Sequence, residues 1–212
     1  MLRKGFLATG LVGLAMTLSL NWAEACQGTK VQFEDKFANL DPAWSPLDDH
    51  ASAANGKLLI KAAPDQVWAS HMLNQANTFG DANYCATVVF PVIKDFSNGE
   101  LGLIFWGTDD AHYWMLVISP IGQFSVQHKV ADGRILVPVR WTSNPAIKQG
   151  AGVSYDLEVR TKGNNAVAFV NGAQVGQVSG QPPDGGSLTG VYWSEPSEAD
   201  ATIEVTNLKV MN

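Results

Sequence analysis

The chain is 212 residues long, 46% apolar and 16% charged, with 14 basic side chains against 20 acidic ones and a net charge of −6. That apolar share suffices for a full hydrophobic core. The acidic balance works against a nucleic-acid partner, because a phosphate backbone is held by an excess of Lys and Arg.

Met1 to Ala25 opens with Arg3 and Lys4, runs apolar from Phe6 to Leu20, and closes on Ala23-Glu24-Ala25, small residues at both positions that a signal peptidase inspects. Thr9, Gly10, Gly13, Thr17 and Ser19 interrupt the run, which is shorter than the ~20 residues of a bilayer span. The segment is therefore predicted to be a cleaved secretory signal, with residues 26–212 forming a single β-sandwich domain in the periplasm or outside the cell and no stable membrane insertion. Cleavage removes Arg3, Lys4 and Glu24, leaving 187 residues with 12 basic and 19 acidic side chains, a charge of −7. Cys26 and Cys85 are the only cysteines, and in an oxidising compartment such a pair is expected to form a disulfide. A lipid on Cys26 is the alternative, disfavoured by the charge of Glu24 just before it.

From Lys30 onward apolar residues alternate with polar ones, and turn residues break the pattern about every eight to twelve positions, as in an all-β sandwich or barrel. The predicted strands are Val31–Phe37, Lys57–Ala62, Gln66–Leu73, Tyr84–Val92, Leu101–Gly107, His112–Ser119, Gln123–Lys129, Arg134–Trp141, Tyr155–Thr161, Ala166–Val170, Ala173–Val178, Leu188–Ser194 and Ala201–Val210. Asn171-Gly172 is the strongest hairpin signal, with Ala54-Asn55-Gly56 and Asp132-Gly133 supplying further tight turns. Gln181 to Ser187, rich in Pro and Gly, is predicted to be a loop.

Trp44, Gly102-Leu103-Ile104-Phe105, Tyr113 to Pro120, Gly122-Gln123-Phe124, Leu157-Glu158-Val159-Arg160 and Phe169-Val170-Asn171-Gly172 follow one another in an order that resembles concanavalin A-like lectin/glucanase jelly rolls. Within that group the chain is most similar to laminin G-like and 3-keto-disaccharide hydrolase-type domains of bacterial exported proteins, from about Val31 to Val210. The resemblance implies a two-sheet antiparallel jelly-roll sandwich. It does not imply one function, since the fold carries several.

Alternation separates Leu101, Leu103 and Phe105 from Gly102, Ile104 and Trp106, and Tyr113, Met115 and Val117 from Trp114, Leu116 and Ile118. In the sequences this one resembles, the positions of Trp106, Trp114 and Leu116 tend to be polar, which places them on an open face here. Indoles there would stack on the C–H face of a sugar while Gln127, Ser125 or a histidine bonds its hydroxyls. Trp106, Trp114, Gln127, His71 and Trp193 are accordingly the candidate ligand-binding residues, with Trp68 and Tyr192 on neighbouring strands. The opposing reading makes these tryptophans core, or covers them with a loop such as Thr142–Val153.

Glu198-Ala199-Asp200-Ala201-Thr202-Ile203-Glu204 is superficially similar to the catalytic Glu-x-Asp motif of family-sixteen glycoside hydrolases, but its final spacing is too long. Solvated charge is the plainer explanation. Glu100, Asp110, His71, His128, Glu195, Glu198 and Asp200 are the ionisable groups an enzyme would have to bring together. Asp48-Asp49-His50 and Asp109-Asp110 offer oxygen ligands for calcium without complete spacing, so no cofactor is expected. No zinc spacing, Gly-x-Ser-x-Gly or phosphate-loop motif occurs. The leading expectation is a non-catalytic domain with a carbohydrate ligand. A glycosidase or lyase, and a structural or protein-interaction module, are the alternatives.

Overall fold

Fifteen strands and no helix occur among the described residues of the computed structural model, which are 26–45, 50–61, 70–91, 99–150, 152–194 and 201–212. In chain order they are β1 (Val31–Asp35), β2 (Trp44–Ser45), β3 (Ala51–Ala54), β4 (Lys57–Lys61), β5 (Ser70–Asn74), β6 (Asn83–Val89), β7 (Glu100–Asp109), β8 (His112–Ser119), β9 (Gln123–Lys129), β10 (Ile135–Ser143), β11 (Ser154–Lys162), β12 (Asn165–Val170), β13 (Ala173–Ser179), β14 (Leu188–Ser194) and β15 (Thr202–Met211). They form two antiparallel sheets. One runs β13-β12-β11-β6-β15-β4-β3, with β1 paired to the C-terminal half of β15, and the other runs β10-β9-β8-β7-β14-β5-β2. Residues 1–25, which the sequence predicts to be a secretory signal, lie outside the described residues.

Each of the thirteen predicted strands has a counterpart among the described residues, with ends shifted by a few residues; residues 62, 66–69 and 92 of the predicted strands lie outside them. Two short ones are additional. Ala51–Ala54 has little intrinsic β preference; it is a strand because the left-handed Asn55-Gly56 turn (φ 53° and 73°) folds it back onto β4. Asn171-Gly172 joins β12 to β13 in the same way.

One core fills the space between the sheets. Leu101, Leu103, Phe105, Trp114, Leu116, Ile118, Val191 and Trp193 face Tyr84, Val88, Leu157, Val159, Ile203, Val205, Leu208 and Val210 across it. Strict alternation would turn Leu208 and Val210 away from Ile203 and Val205. Asn207, at φ 51°, interrupts the register of β15 and resets the parity, so all four point inward.

β8 sits the opposite way round from the sequence expectation. Leu101, Leu103 and Phe105 stand directly across from Ile118, Leu116 and Trp114, so Trp114 and Leu116 share the core face instead of occupying an open one. The other face carries Ile104, Tyr113, Met115 and Val117, which with Leu73, Leu188 and Tyr192 make a second buried apolar cluster. Both faces of the hairpin are apolar and buried, and alternation alone cannot say which is inside.

Cys26 and Cys85 are disulfide-bonded, with Cα atoms 5.6 Å apart. The bridge ties the segment before β1 to β6. Thr29 and Lys30 donate their backbone N–H groups to the Asn212 carbonyl, at 2.6 and 3.1 Å, so both ends of the fold are held at one place. The bridge closes a loop with a sequence separation of 59 residues. Replacing both cysteines with serine is therefore expected to lower the unfolding free energy by about 4 kcal/mol on chain-entropy grounds, read from the urea midpoint of the oxidised parent and the variant.

Candidate functional site at the end of the sandwich

The β7–β8 turn is built around Asp109. Its carboxylate accepts the backbone N–H groups of Ala111 and His112, both at 2.8 Å, and lies 3.1 and 3.2 Å from His112 Nδ1. Burial pushes this carboxyl up, but the bonds from Ala111 and from the His112 ring and backbone outweigh that and hold it below the ordinary aspartate range.

Just before this turn the pairing of β7 with β8 slips, and Trp106 adopts φ 47°. A bulky residue in left-handed backbone costs on the order of 1–3 kcal/mol and persists only where its surroundings enforce it. Here they do: the Trp106 ring packs at 5.4 Å from Phe105 and edge-on at 5.6 Å from Trp114. The bulge thus puts two consecutive aromatics on the core side. Trp114 in turn stacks on His128, with ring centroids 4.4 Å apart and planes within 12°. Burial, aided by the charge of His112, holds His128 below the ordinary histidine range, so its ring is neutral at pH 7.

These groups and the loop after β13 border an open pocket of about 410 Å³, lined by Trp106, Thr108, Asp109, His112, Trp114, His128 and Gln181 to Asp184. Gly180 sets the approach of the loop. A Cβ there would lie 2.7 Å from Trp114 Cζ2 and 2.9 Å from Trp106 Cζ3. The loop over the tryptophans is therefore the Pro-Gly segment after β13, not Thr142–Val153.

Of the five candidate ligand residues, the pocket unites Trp106 and Trp114. Neither is an open stacking platform: they are 3% and 8% exposed, and the ring stacked over Trp114 is that of His128. Gln127 neighbours His128 but sits on the opposite face of its strand, across from Met115, and is buried. His71 occupies the register position across from Tyr192 on β5. Trp193 is core, packed against Phe90 at 6.4 Å, which removes it from the aromatic face the sequence suggested. Trp68 lies outside the described residues. Sequence reasoning missed Asp109, His112, Gln181 and Asp184 as one group, because β8 and the loop after β13 meet only in three dimensions.

On the outer face of the seven-stranded sheet, Glu100 is half-buried. Burial raises its carboxyl above the ordinary range against a hydrogen bond with Tyr192, and burial together with Glu100 drives the Tyr192 phenol up in turn. Glu195, Glu198 and Asp200 fall outside the described residues. Glu204 belongs to the other sheet and pairs with Lys57 at 2.6 Å. Among the described residues no group of three or more His, Cys, Asp or Glu side chains is arranged around a metal position. Asp48 and Asp49 lie outside them.

No protein-family model and no curated protein matches the chain. Solved structures do match in fold. The carbohydrate-binding module CBM66 from Bacillus subtilis is 12% identical, with a TM-score of 0.63 over 80% of this chain and 96% of that one. The laminarinase catalytic domain from Thermotoga maritima is 11% identical, with a TM-score of 0.63 over 88% and 100%. The β-glucanase of Bacillus licheniformis is 11% identical, with a TM-score of 0.58 over 87% and 99%. The sandwich is thus a concanavalin A-like jelly roll, as the order of strands and turns in the sequence implies.

Gly180→Ala is expected to push both indoles out of place, at a cost of about 1–3 kcal/mol. The measurements are the urea midpoint and the near-ultraviolet circular dichroism of the tryptophans. An unchanged aromatic spectrum would show that the pocket wall is not held by this contact.

Proposed function

We propose that this protein is an exported, non-catalytic glycan-binding sandwich that takes its ligand in the pocket beside Trp106, Trp114 and His128. The observation that carries the reading is the composition of that pocket. Its floor is a flat ring, His128 backed by Trp114, of the kind that meets the C–H face of a pyranose. Its rim is polar, with Asp109, His112, Thr108, Gln181 and Asp184 able to bond hydroxyls. Its volume of about 410 Å³ lies at the small end of ligand pockets, roughly 300–1,000 Å³, which suits one or two sugar rings. The likeness in fold to a carbohydrate-binding module and to glucanase catalytic domains supports a glycan as ligand. The disulfide and the N-terminal signal pattern support an oxidising destination outside the cytoplasm.

Titrating the protein with a panel of oligosaccharides tests this. Trp114→Ala and His128→Ala are expected to weaken binding several-fold to about tenfold, the worth of one aromatic contact. His112→Ala, at a half-exposed rim position, is expected to weaken it without altering the aromatic spectrum. Binding that survives all three substitutions would rule out this pocket.

Glu100 favours a second reading, a glycoside hydrolase working on the outer face of the seven-stranded sheet. A general acid needs a raised carboxyl, which Glu100 has. No second carboxylate stands beside it on β8, β9 or β14. Because its folded pKa lies above its unfolded value, the stability contributed by protonated Glu100 is present at acid pH and is lost as pH rises through the folded pKa. Glu100→Gln is thus expected to melt higher than the parent at neutral pH and alike at pH 3. Melting curves from pH 3 to 8 and release of reducing ends from β-glucans decide between the readings. Hydrolysis abolished by Glu100→Gln would overturn the non-catalytic one.

A further inference from the structure

We infer that the sugar taken by the pocket beside Trp106 and Trp114 carries a protonated amine, so that its ligand is an amino-sugar unit and not a neutral or an acidic one. This rests on the glycan reading above and concerns the same site. Two carboxylates, Asp109 and Asp184, line the pocket, and neither Lys nor Arg does. Asp109 spends much of its charge on the Ala111 and His112 amides and the His112 ring. Asp184, exposed on the loop after β13, adds a second negative charge to the lining.

The charged and titratable groups around that space come from each packed element: Asp109 from β7, His112 from β8, His128 from β9 and Asp184 from the loop after β13. Lys129 is the nearest basic neighbour in sequence, but it points to the other face of its strand, with Nζ 5.2 Å from the Tyr113 ring centroid. An acidic sugar would therefore bring its carboxylate against two others with no lysine or arginine to offset them. An ammonium group meets the reverse situation: two carboxylates among the lining groups, together with an imidazole stacked on an indole. Gly180 lets the loop that carries Asp184 approach the two indoles, and Asp184 lines the same pocket as His128. The imidazole adds a pH limit on the acid side. Once His128 takes up a proton, the floor repels an ammonium ion.

Titration calorimetry with four probes tests the inference: a glucosamine tetramer, the N-acetylglucosamine tetramer, cellotetraose and a linear diamine without a sugar ring. The glucosamine tetramer is expected to bind at least tenfold more tightly than the other three and to weaken with added salt. Its affinity is expected to fall as pH drops below the ordinary histidine range, through the lower pKa of His128. Asp184→Asn is expected to bring the ratio between glucosamine and N-acetylglucosamine tetramers toward one, and His128→Asn to flatten the acid-side fall. Equal affinity for the amine and neutral tetramers would overturn the amine assignment while leaving the glycan reading standing. A diamine as good as the glucosamine tetramer would make the pocket a simple cation site and overturn the sugar part. Binding of none of the four, nor of any member of the oligosaccharide panel, would overturn both.

Discussion

A strand that alternated without interruption would turn Trp106 away from Phe105 and toward the outer face of the seven-stranded sheet. Its left-handed backbone prevents this, and the pocket depends on that departure. With Trp106 folded onto Trp114, the end of β7 becomes an aromatic wall, and the turn that follows aims Asp109 and His112 across it. Trp114 then serves two roles. One edge of it closes the core between the sheets, and one face of it supports His128. The loop after β13 can approach only because Gly180 has no side chain to meet the two indoles. Strain at one residue is balanced by packing from two strands and a loop, which is how an unfavourable φ persists.

Asn207 does for the eight-stranded sheet what Trp106 does for the seven-stranded one. Each inserts a left-handed residue into a long strand and changes which side chains face inward. The consequence at β15 is purely structural: Leu208 and Val210 join Ile203 and Val205 in the core. At β7 the same device leaves polar groups and aromatic edges at the rim of the sandwich. The difference lies in what the inserted residue is, a small amide in one case and an indole in the other.

The two faces of the seven-stranded sheet differ in what they offer chemically. Its outer face is apolar over Ile104, Met115 and Val117, and two of its ionisable groups, Glu100 and Tyr192, interact with each other and are both held up by burial. The end pocket instead keeps one carboxyl low and one imidazole neutral, so acceptors of different kinds face the same space. That contrast sets the end of the sandwich, where groups of different kinds line one space, apart from the largely apolar outer face.

Alternation and turn chemistry were enough for the sandwich, because a period of two and residues such as Asn171-Gly172 act locally and leave their mark in neighbouring positions. The pairing of Cys26 with Cys85 was legible too, there being only one way to pair two cysteines. Ala51–Ala54 was not, since its pairing comes from the turn that follows and not from its own side chains. Nor was the inside of the β7–β8 hairpin. Leu103 with Phe105 and Met115 with Val117 are equally apolar, so the choice of core face falls to the register of β7 against β8 and β14 and to the sheet packed opposite. The pocket lies furthest from what a sequence can specify: it joins Trp106, His128 and Asp184 from segments that meet only after two sheets have packed, and it needs a reversal of parity that the alternating pattern itself predicts against.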